Sequence, residues 1–200
     1  MRQRKSEAVL TSARTLFLAH GFDGTTVDEI ARHARVSKAT VYSNFADKSA
    51  VLEALLDRVG AESASILEQV VAPLREEQDV EEGLVRTAVA LALGVLRPEV
   101  LQLRRLAVAE SGRFPAAVAQ YFDCGPRSSL LLLADAFRVL HDRGALDVPD
   151  AEAAAARFAY AAVAPLQDRA ILGGETLDEA AVTAFAGESA RAFLRAHRTA

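Results

Sequence analysis

The side chains with the clearest capacity for binding chemistry lie in residues 37–48, which read SKATVYSNFADK. Val41 and Phe45 are four residues apart, so on a short helix they share one face and point inward. The remaining faces carry an ammonium, hydroxyl groups and an amide, which are groups for hydrogen-bonded recognition. The outward residues are Lys38, Thr40, Tyr42, Ser43 and Asn44.

The flanking residues predict a pair of short helices around this segment. Thr26 and Glu29 have the spacing of a capping box, and Ser37 and Asp47 are candidate N-caps for the next two helices. Residues of one apolar face follow Thr26 at helical spacing: Val27, Ile30, Ala31 and Ala34. Two short helices joined by a tight turn, with a third directly after, have the layout of a helix-turn-helix, whose second helix enters the DNA major groove.

A longer run, residues 16–56, resembles the N-terminal DNA-binding domain of TetR-type transcriptional regulators. The residues that carry the resemblance are Phe17, Gly21, Phe22, Thr25, Thr26, Ile30, Ala31, Ala34, Val36, Ser37, Thr40, Tyr42, Phe45, Lys48 and Leu52. The ordered set from the Gly-Phe corner to Tyr-x-x-Phe and the following lysine is specific. The resemblance implies an all-α fold, with a three-helix DNA-binding domain at 1–48 and a helical ligand-binding and dimerisation domain at 49–200.

The resemblance also implies roles for single residues. Residues expected at phosphates are Thr26, Ser37, Tyr42 and Lys48. Residues expected at base edges are Lys38, Ala39, Thr40, Ser43 and Asn44. Structural alternatives stay open, because Thr26 and Ser37 would serve as caps without DNA and Tyr42 could be a core aromatic. Ser43 departs from the large residue often found there in the family.

Composition is consistent with a cytoplasmic DNA-binding protein. No segment has the length of a membrane span, no apolar stretch follows MRQRKSE, and Cys124 is the only cysteine. The net charge is −4, but residues 1–50 contain eight basic and five acidic side chains, a balance of +3. A basic end on an acidic body is the distribution that a DNA-binding domain needs.

The rest of the chain reads as helix. Predicted helices lie near 47–72, 80–96, 98–111, 115–123, 126–143, 150–172 and 176–197, with Gly125-Pro126 as one of the breaks. Asp150 is expected to cap the penultimate helix, and Thr176 with Glu179 to form a capping box on the last. Pro165 should kink or split the penultimate helix.

The last two predicted helices, about 150–172 and 176–197, are rich in alanine. Ordinary core packing explains such composition, and so does a dimer interface, which the resemblance favours. A homodimer would read a palindromic operator with two recognition helices.

A small-molecule effector is also implied by the resemblance, with its pocket among the middle helices. Candidate lining residues are Arg104, Phe114, Tyr121, Phe122, Phe137, Phe158 and Tyr160. The alternative for each aromatic residue is ordinary core packing, and the alternative for Arg104 is a solvated helix face. The four histidines are scattered and Cys124 stands alone, so no metal site, cofactor or catalytic constellation is expected. The chain is therefore interpreted as a ligand-released repressor rather than an enzyme. The alternative is a helical protein–protein interaction module that has lost DNA binding.

Overall fold

In the residues that the structure describes, all regular secondary structure is helical. The computed structural model of the protein describes residues 2–199, except the side chains at positions 2, 3, 63 and 64. The helices are α1 Arg2–His20, α2 Val27–His33, α3 Lys38–Tyr42, α4 Lys48–Val71, α5 Val80–Val95, α6 Pro98–Glu110, α7 Pro115–Phe122, α8 Ser128–Asp142, α9 Ala151–Ile171 and α10 Glu179–His197. The predicted all-α fold is confirmed. None of the helices in residues 2–199 combines the length and apolar character that crossing a bilayer requires.

Two compact units divide the described chain. The first contains the residues up to Ala61 together with Gln102–Cys124, and the second contains Glu62–Leu101 and the residues from Gly125 onward. This division agrees with the packing, because the leucines of early α4, together with Leu103 and Leu106 of α6, are buried in the first unit's core. The functional boundary at 48/49 stays a prediction.

The first unit is built around the apolar faces of α1 to α4. Ile30, Val41 and Phe45 are buried in its core, and Val36 packs against that core from the turn, as their spacing predicts. Leu103 and Leu106 of α6 belong to the same core although they are distant in sequence. The helix-turn-helix scaffold is therefore closed by residues from the middle of the chain.

The second unit has a core of alanines around three phenylalanines. The ring centroids of Phe137, Phe158 and Phe193 lie 5.2–5.5 Å apart in each pairing. Phe137 and Phe158 are fully buried in this cluster. Two of the three sequence-predicted ligand residues of this unit are thus core packing residues, which was the alternative interpretation of each, whereas the third, Tyr160, is exposed.

Helix ends agree with the sequence except at Thr176 and at Gly125-Pro126. Asp47 and Asp150 accept the expected hydrogen bonds from the backbone N–H groups of Ala50 and Ala153. The predicted capping box of Thr176 and Glu179 is wrong: α10 begins at Glu179, and Asp178 caps it by accepting from the N–H of Ala181. Thr176 lies two residues before Asp178, which occupies the N-cap position of this helix.

Two prolines were expected to interrupt helices, one at a break between helices and one inside the penultimate helix. The predicted break at Gly125-Pro126 is a π-helical turn, Asp123–Arg127, that connects α7 directly to α8. A π turn lets the chain pass a proline because its hydrogen-bonding register already departs from that of the α-helix. Pro165 does not split α9, which runs from Ala151 to Ile171.

Candidate DNA-binding surface

The corner between α1 and α2 depends on two glycines. Gly21 has a φ of +73°, which a residue with a side chain rarely adopts, and its N–H donates to the Phe17 carbonyl at 2.9 Å. A Cβ atom on Gly24 would lie 2.3 Å from the His20 carbonyl oxygen. The chain therefore turns tightly here and delivers Thr25 and Thr26 to the start of α2.

Thr26 forms the predicted capping box with Glu29. The Thr26 hydroxyl accepts from the Glu29 N–H at 3.2 Å, and the Glu29 carboxylate accepts from the Thr26 hydroxyl and N–H at 2.8 Å each. These hydrogen bonds hold the pKa of Glu29 below its usual value. The capping role of Thr26 is confirmed, and its contact with phosphate stays a prediction.

The turn between α2 and α3 contains a residue that the sequence did not single out. Arg35 has a φ of +55°, the left-handed conformation that costs an L-residue about 1 kcal/mol or more. Its guanidinium is exposed, and no described residue forms a hydrogen bond or ion pair with it. The three-residue spacing of Arg32, Arg35 and Lys38 was the available sequence signal for a basic edge on this turn.

The second helix of the motif presents a polar face on a capped, buried scaffold. Ser37 caps α3 by accepting from the Thr40 N–H at 3.1 Å, and Val41 and Phe45 are buried beneath it. Lys38, Ala39, Tyr42 and Ser43 are exposed, with 48% of Tyr42 accessible to solvent. The structure thus places Tyr42 on the surface and not in the core.

Lys38 of α3 forms an ion pair with Asp28 of α2. Its ammonium lies 2.7 Å from the Asp28 carboxylate, and this hydrogen bond raises the pKa of Lys38. Both side chains are exposed, so the pair is weakly stabilising and readily exchanged for another anion. Asp28 was not among the predicted site residues.

The polar residues after α3 bond back to the helix. The Asn44 side-chain amide donates to the Thr40 carbonyl at 2.7 Å, and the Ser43 hydroxyl donates to the same oxygen at 2.9 Å. These bonds satisfy a carbonyl at the end of a five-residue helix. Contact of Asn44 or Ser43 with a base edge stays a prediction.

Lys48 is bound inside the protein. Its half-buried ammonium donates to the carbonyl oxygens of Phe22 at 2.7 Å and Thr25 at 2.8 Å, and it lies 4.3 Å from the centroid of the Phe22 ring. Lys48 therefore ties the start of α4 to the corner that precedes α2. Its predicted contact with phosphate is not tested by these contacts.

The seven predicted effector residues are divided between the two units. Arg104, Phe114, Tyr121 and Phe122 lie in the first unit, whereas Phe137, Phe158 and Tyr160 lie in the second. Burial raises the pKa of the Tyr121 phenol, and the positive charge of Arg104 opposes that shift. Across the described residues, His, Cys, Asp and Glu side chains nowhere gather in the groups of three or more that could hold a metal ion.

A capped helix pair with an exposed polar second helix defines a DNA-binding protein of the helix-turn-helix class. Comparison with known proteins narrows the class. Residues 9–55 match the family described as "Bacterial regulatory proteins, tetR family", and residues 82–199 match "AefR-like transcriptional repressor, C-terminal domain". The chain belongs to the TetR family of DNA-binding transcriptional regulators, as its sequence predicts.

Individual relatives agree with this family. The chain is 31% identical over 144 residues to the HTH-type transcriptional regulator YvkB of Bacillus subtilis, covering 70% of each protein. A solved structure from Mesorhizobium loti, assigned to the TetR family, matches with a TM-score of 0.96 and 28% identity over 100% of this chain and 99% of that one. The flavonoid-responsive regulator FrrA matches with a TM-score of 0.71 and 27% identity, covering 98% of each chain.

Proposed function

We propose that this regulator is a homodimeric repressor that binds a palindromic operator and is released from it by a small organic molecule. The exposed face of α3, held by caps at Thr26 and Ser37, carries the proposal. A single short helix reads few base pairs, so a two-fold pair is needed for a specific site. A regulator of bacterial genes acts where the chromosome is, so we place it in the cytoplasm.

The contacts within the motif refine the proposed DNA-binding residues. Lys38 and Ala39, at the start of α3, are exposed and suited to base edges, and Tyr42 is exposed and suited to a phosphate. Thr40, Ser43 and Asn44 retain their proposed roles at base edges, and Thr26, Ser37 and Lys48 at the backbone. We add Arg35, because a strained residue with an unpaired exposed charge is typical of a functional position.

The surface of the last two helices supports dimerisation. The outward stripe of α9 includes Ala161 and Pro165 and continues to Leu172 just after the helix, with 81% of Leu172 accessible. The outward stripe of α10 includes Ala181 and Ala184. Small residues on neighbouring helices let a second copy approach closely, and two-fold symmetry places the same stripe on both sides. A four-helix interface between two protomers is the proposed arrangement.

The effector is proposed to be an apolar organic molecule with a polar group. Support comes from FrrA, whose description as flavonoid-responsive applies to that protein. Arg104 and Tyr121 offer a cation and a phenol beside apolar side chains, a combination typical of small-molecule sites. A ligand releases the operator only if it binds the DNA-free state more tightly than the bound one.

Selection of bound sequences from random duplex DNA is the direct test. The expected result is an inverted repeat whose half-sites are about one helical turn apart, or a multiple of that. Sedimentation of the complex should show two protomers for each inverted repeat. Enrichment of no sequence would contradict the DNA-binding proposal, and enrichment of a single unrepeated half-site would contradict the dimer.

A matched pair of tyrosine variants tests the binding surface. Tyr42→Phe removes one hydroxyl from the proposed surface and should weaken binding by about threefold to tenfold on every sequence, because a phosphate contact does not discriminate bases. Tyr160→Phe is the control, since Tyr160 has a similar exposure, 51% against 48%, on α9. Fluorescence anisotropy measures both affinities, and equal affinities for the two variants would remove Tyr42 from the surface.

A further inference from the structure

The segment between α6 and α7 contacts the corner that precedes α2, within the first unit. Arg113 donates to the Asp23 carboxylate at 2.6 Å. The Arg113 guanidinium carbon also lies 4.9 Å from the centroid of the Phe22 ring and 5.3 Å from that of Phe114. The rings of Phe22 and Phe114 meet edge to face at 5.0 Å. One arginine therefore contacts both a charged and an aromatic residue of the corner.

The Phe22 ring has two cations beside it. The Lys48 ammonium is 4.3 Å from its centroid and the Arg113 guanidinium 4.9 Å, while only 2% of the residue is accessible to solvent. A partly desolvated cation–π contact is stronger than an exposed one. The corner is thus held by α4 through Lys48 and by the α6–α7 segment through Arg113.

The corner needs such contacts because its own backbone can adopt many conformations. It contains Gly21 and Gly24, and glycine has more accessible conformations than any other residue. The corner leads directly into Thr26, whose capping box sets the first turn of α2. A change in the corner would therefore alter where α2 begins and how α2 presents Asp28 to Lys38.

We propose that Arg113 is a positioning residue for DNA binding, which holds the Phe22–Asp23 corner so that α2 and α3 keep the geometry that reads the operator. The inference rests on the proposed function and adds to it a connection between residues 102–124 and operator affinity. Four of the seven predicted effector residues lie in that segment. An effector that shifts the segment would move Arg113 and loosen the corner.

Stabilisation of the whole fold is a poor explanation for the ion pair between Arg113 and Asp23. The side chains of Arg113 and Asp23 are 54% and 81% exposed, and ion pairs this exposed contribute little to the stability of a fold. Loss of Arg113 should therefore leave global unfolding nearly unchanged. A positioning role predicts instead a local loss of order at the corner and weaker DNA binding.

The experiment compares four variants of the full-length chain. Arg113→Met removes the charge and the planar group, Arg113→Lys keeps the charge only, and Asp23→Asn weakens the ion pair. Arg86→Met is the matched control, because the exposed Arg86 of α5 forms an ion pair with Glu77 within the second unit, away from the helices of the proposed dimer interface. Operator affinity, the thermal midpoint and hydrogen–deuterium exchange of the peptide covering residues 25–30 are measured for each.

Arg113→Met is expected to weaken operator binding about tenfold, within the usual range of couplings between sites. Amide exchange at residues 25–30 should accelerate, because the N–H groups of Thr25, Glu29 and Ile30 depend on bonds formed at the corner. Arg113→Lys and Asp23→Asn should show smaller changes, and Arg86→Met none. The thermal midpoint should stay close to that of the wild type in all four.

Two results would overturn the proposal. One is unchanged exchange and affinity in Arg113→Met. The other is a fall in thermal midpoint with faster exchange throughout the first unit, which would assign Arg113 a general structural role. If the wild-type chain bound no DNA, the proposed function would fail separately, since exchange at residues 25–30 reports on the corner without DNA.

Discussion

The two compact units are stabilised in different ways. In the first, short helices are placed by polar contacts and glycine turns: the box of Thr26 and Glu29, the ammonium of Lys48 and the corner at Gly21. In the second, long helices pack through the cluster of Phe137, Phe158 and Phe193 and many buried alanines. Apolar burial supplies stability without direction, whereas hydrogen bonds specify position. A DNA-reading surface needs position, so the polar contacts concentrate where DNA is proposed to bind.

The largest expected effect tests the apolar side of this comparison. Phe158→Ala should destabilise the second unit by about 3–5 kcal/mol, because it removes a ring that is fully buried against two others. Urea unfolding followed by circular dichroism measures the change. Phe122→Ala is the control, since Phe122 is exposed and its loss should cost far less. Equal costs for the two variants would contradict the packing described for the second unit.

The next largest effect tests the polar contacts that stabilise the first unit. Lys48→Met should destabilise the first unit by about 2 kcal/mol, because two carbonyl oxygens lose a charged donor. Operator binding should weaken on all sequences. Lys38→Met is the matched control, since Lys38 is exposed and paired only at the surface, so its loss should leave unfolding nearly unchanged. If both variants unfold like the wild type, the stability of the first unit does not depend on the hydrogen bonds of Lys48.

A smaller effect separates stability from function at one position. Arg35→Gly should stabilise the first unit by about 1 kcal/mol, because glycine adopts the left-handed conformation without strain. The same change should weaken operator binding and reduce its salt dependence by about one unit of slope, since one proposed phosphate contact is lost. Arg35→Lys keeps the charge and should leave the slope intact. A variant that is more stable and binds as tightly as the wild type would remove Arg35 from the proposed surface.

The smallest effect is a pH dependence confined to the capping box. The pKa of Glu29 is lowered in the folded protein by hydrogen bonds from Thr26, so its contribution is present above the pKa of an unfolded glutamate. That contribution is lost as pH falls through the lowered pKa. Comparing the unfolding of the wild type and Glu29→Gln between neutral and acidic pH isolates it from other carboxylates. Parallel pH profiles for the two proteins would show that the box does not depend on the charge of Glu29.

Local sequence predicted most of the scaffold and many of the helix ends. Thr26, Ser37, Asp47 and Asp150 were identified as caps because their partners are three residues away, within reach of spacing rules. The same rules failed at Thr176, where a nearby aspartate was the better cap. They could not show that Arg35 adopts a left-handed backbone, because a non-glycine residue gives no local sign of it.

Amino-acid sequence by itself determined the helix-turn-helix, its inward and outward faces, the all-α class and the family. These follow from contacts between residues a few positions apart, which spacing and residue type specify. Only the tertiary structure decided that Lys48 bonds to the corner 23 and 26 residues earlier, and that Arg113 pairs with Asp23 across 90 residues. Such partners are chosen by how helices pack, because many distant residues could satisfy one charged side chain. The long-range contacts that hold the corner before the DNA-reading helices are therefore the ones that the sequence alone could not identify.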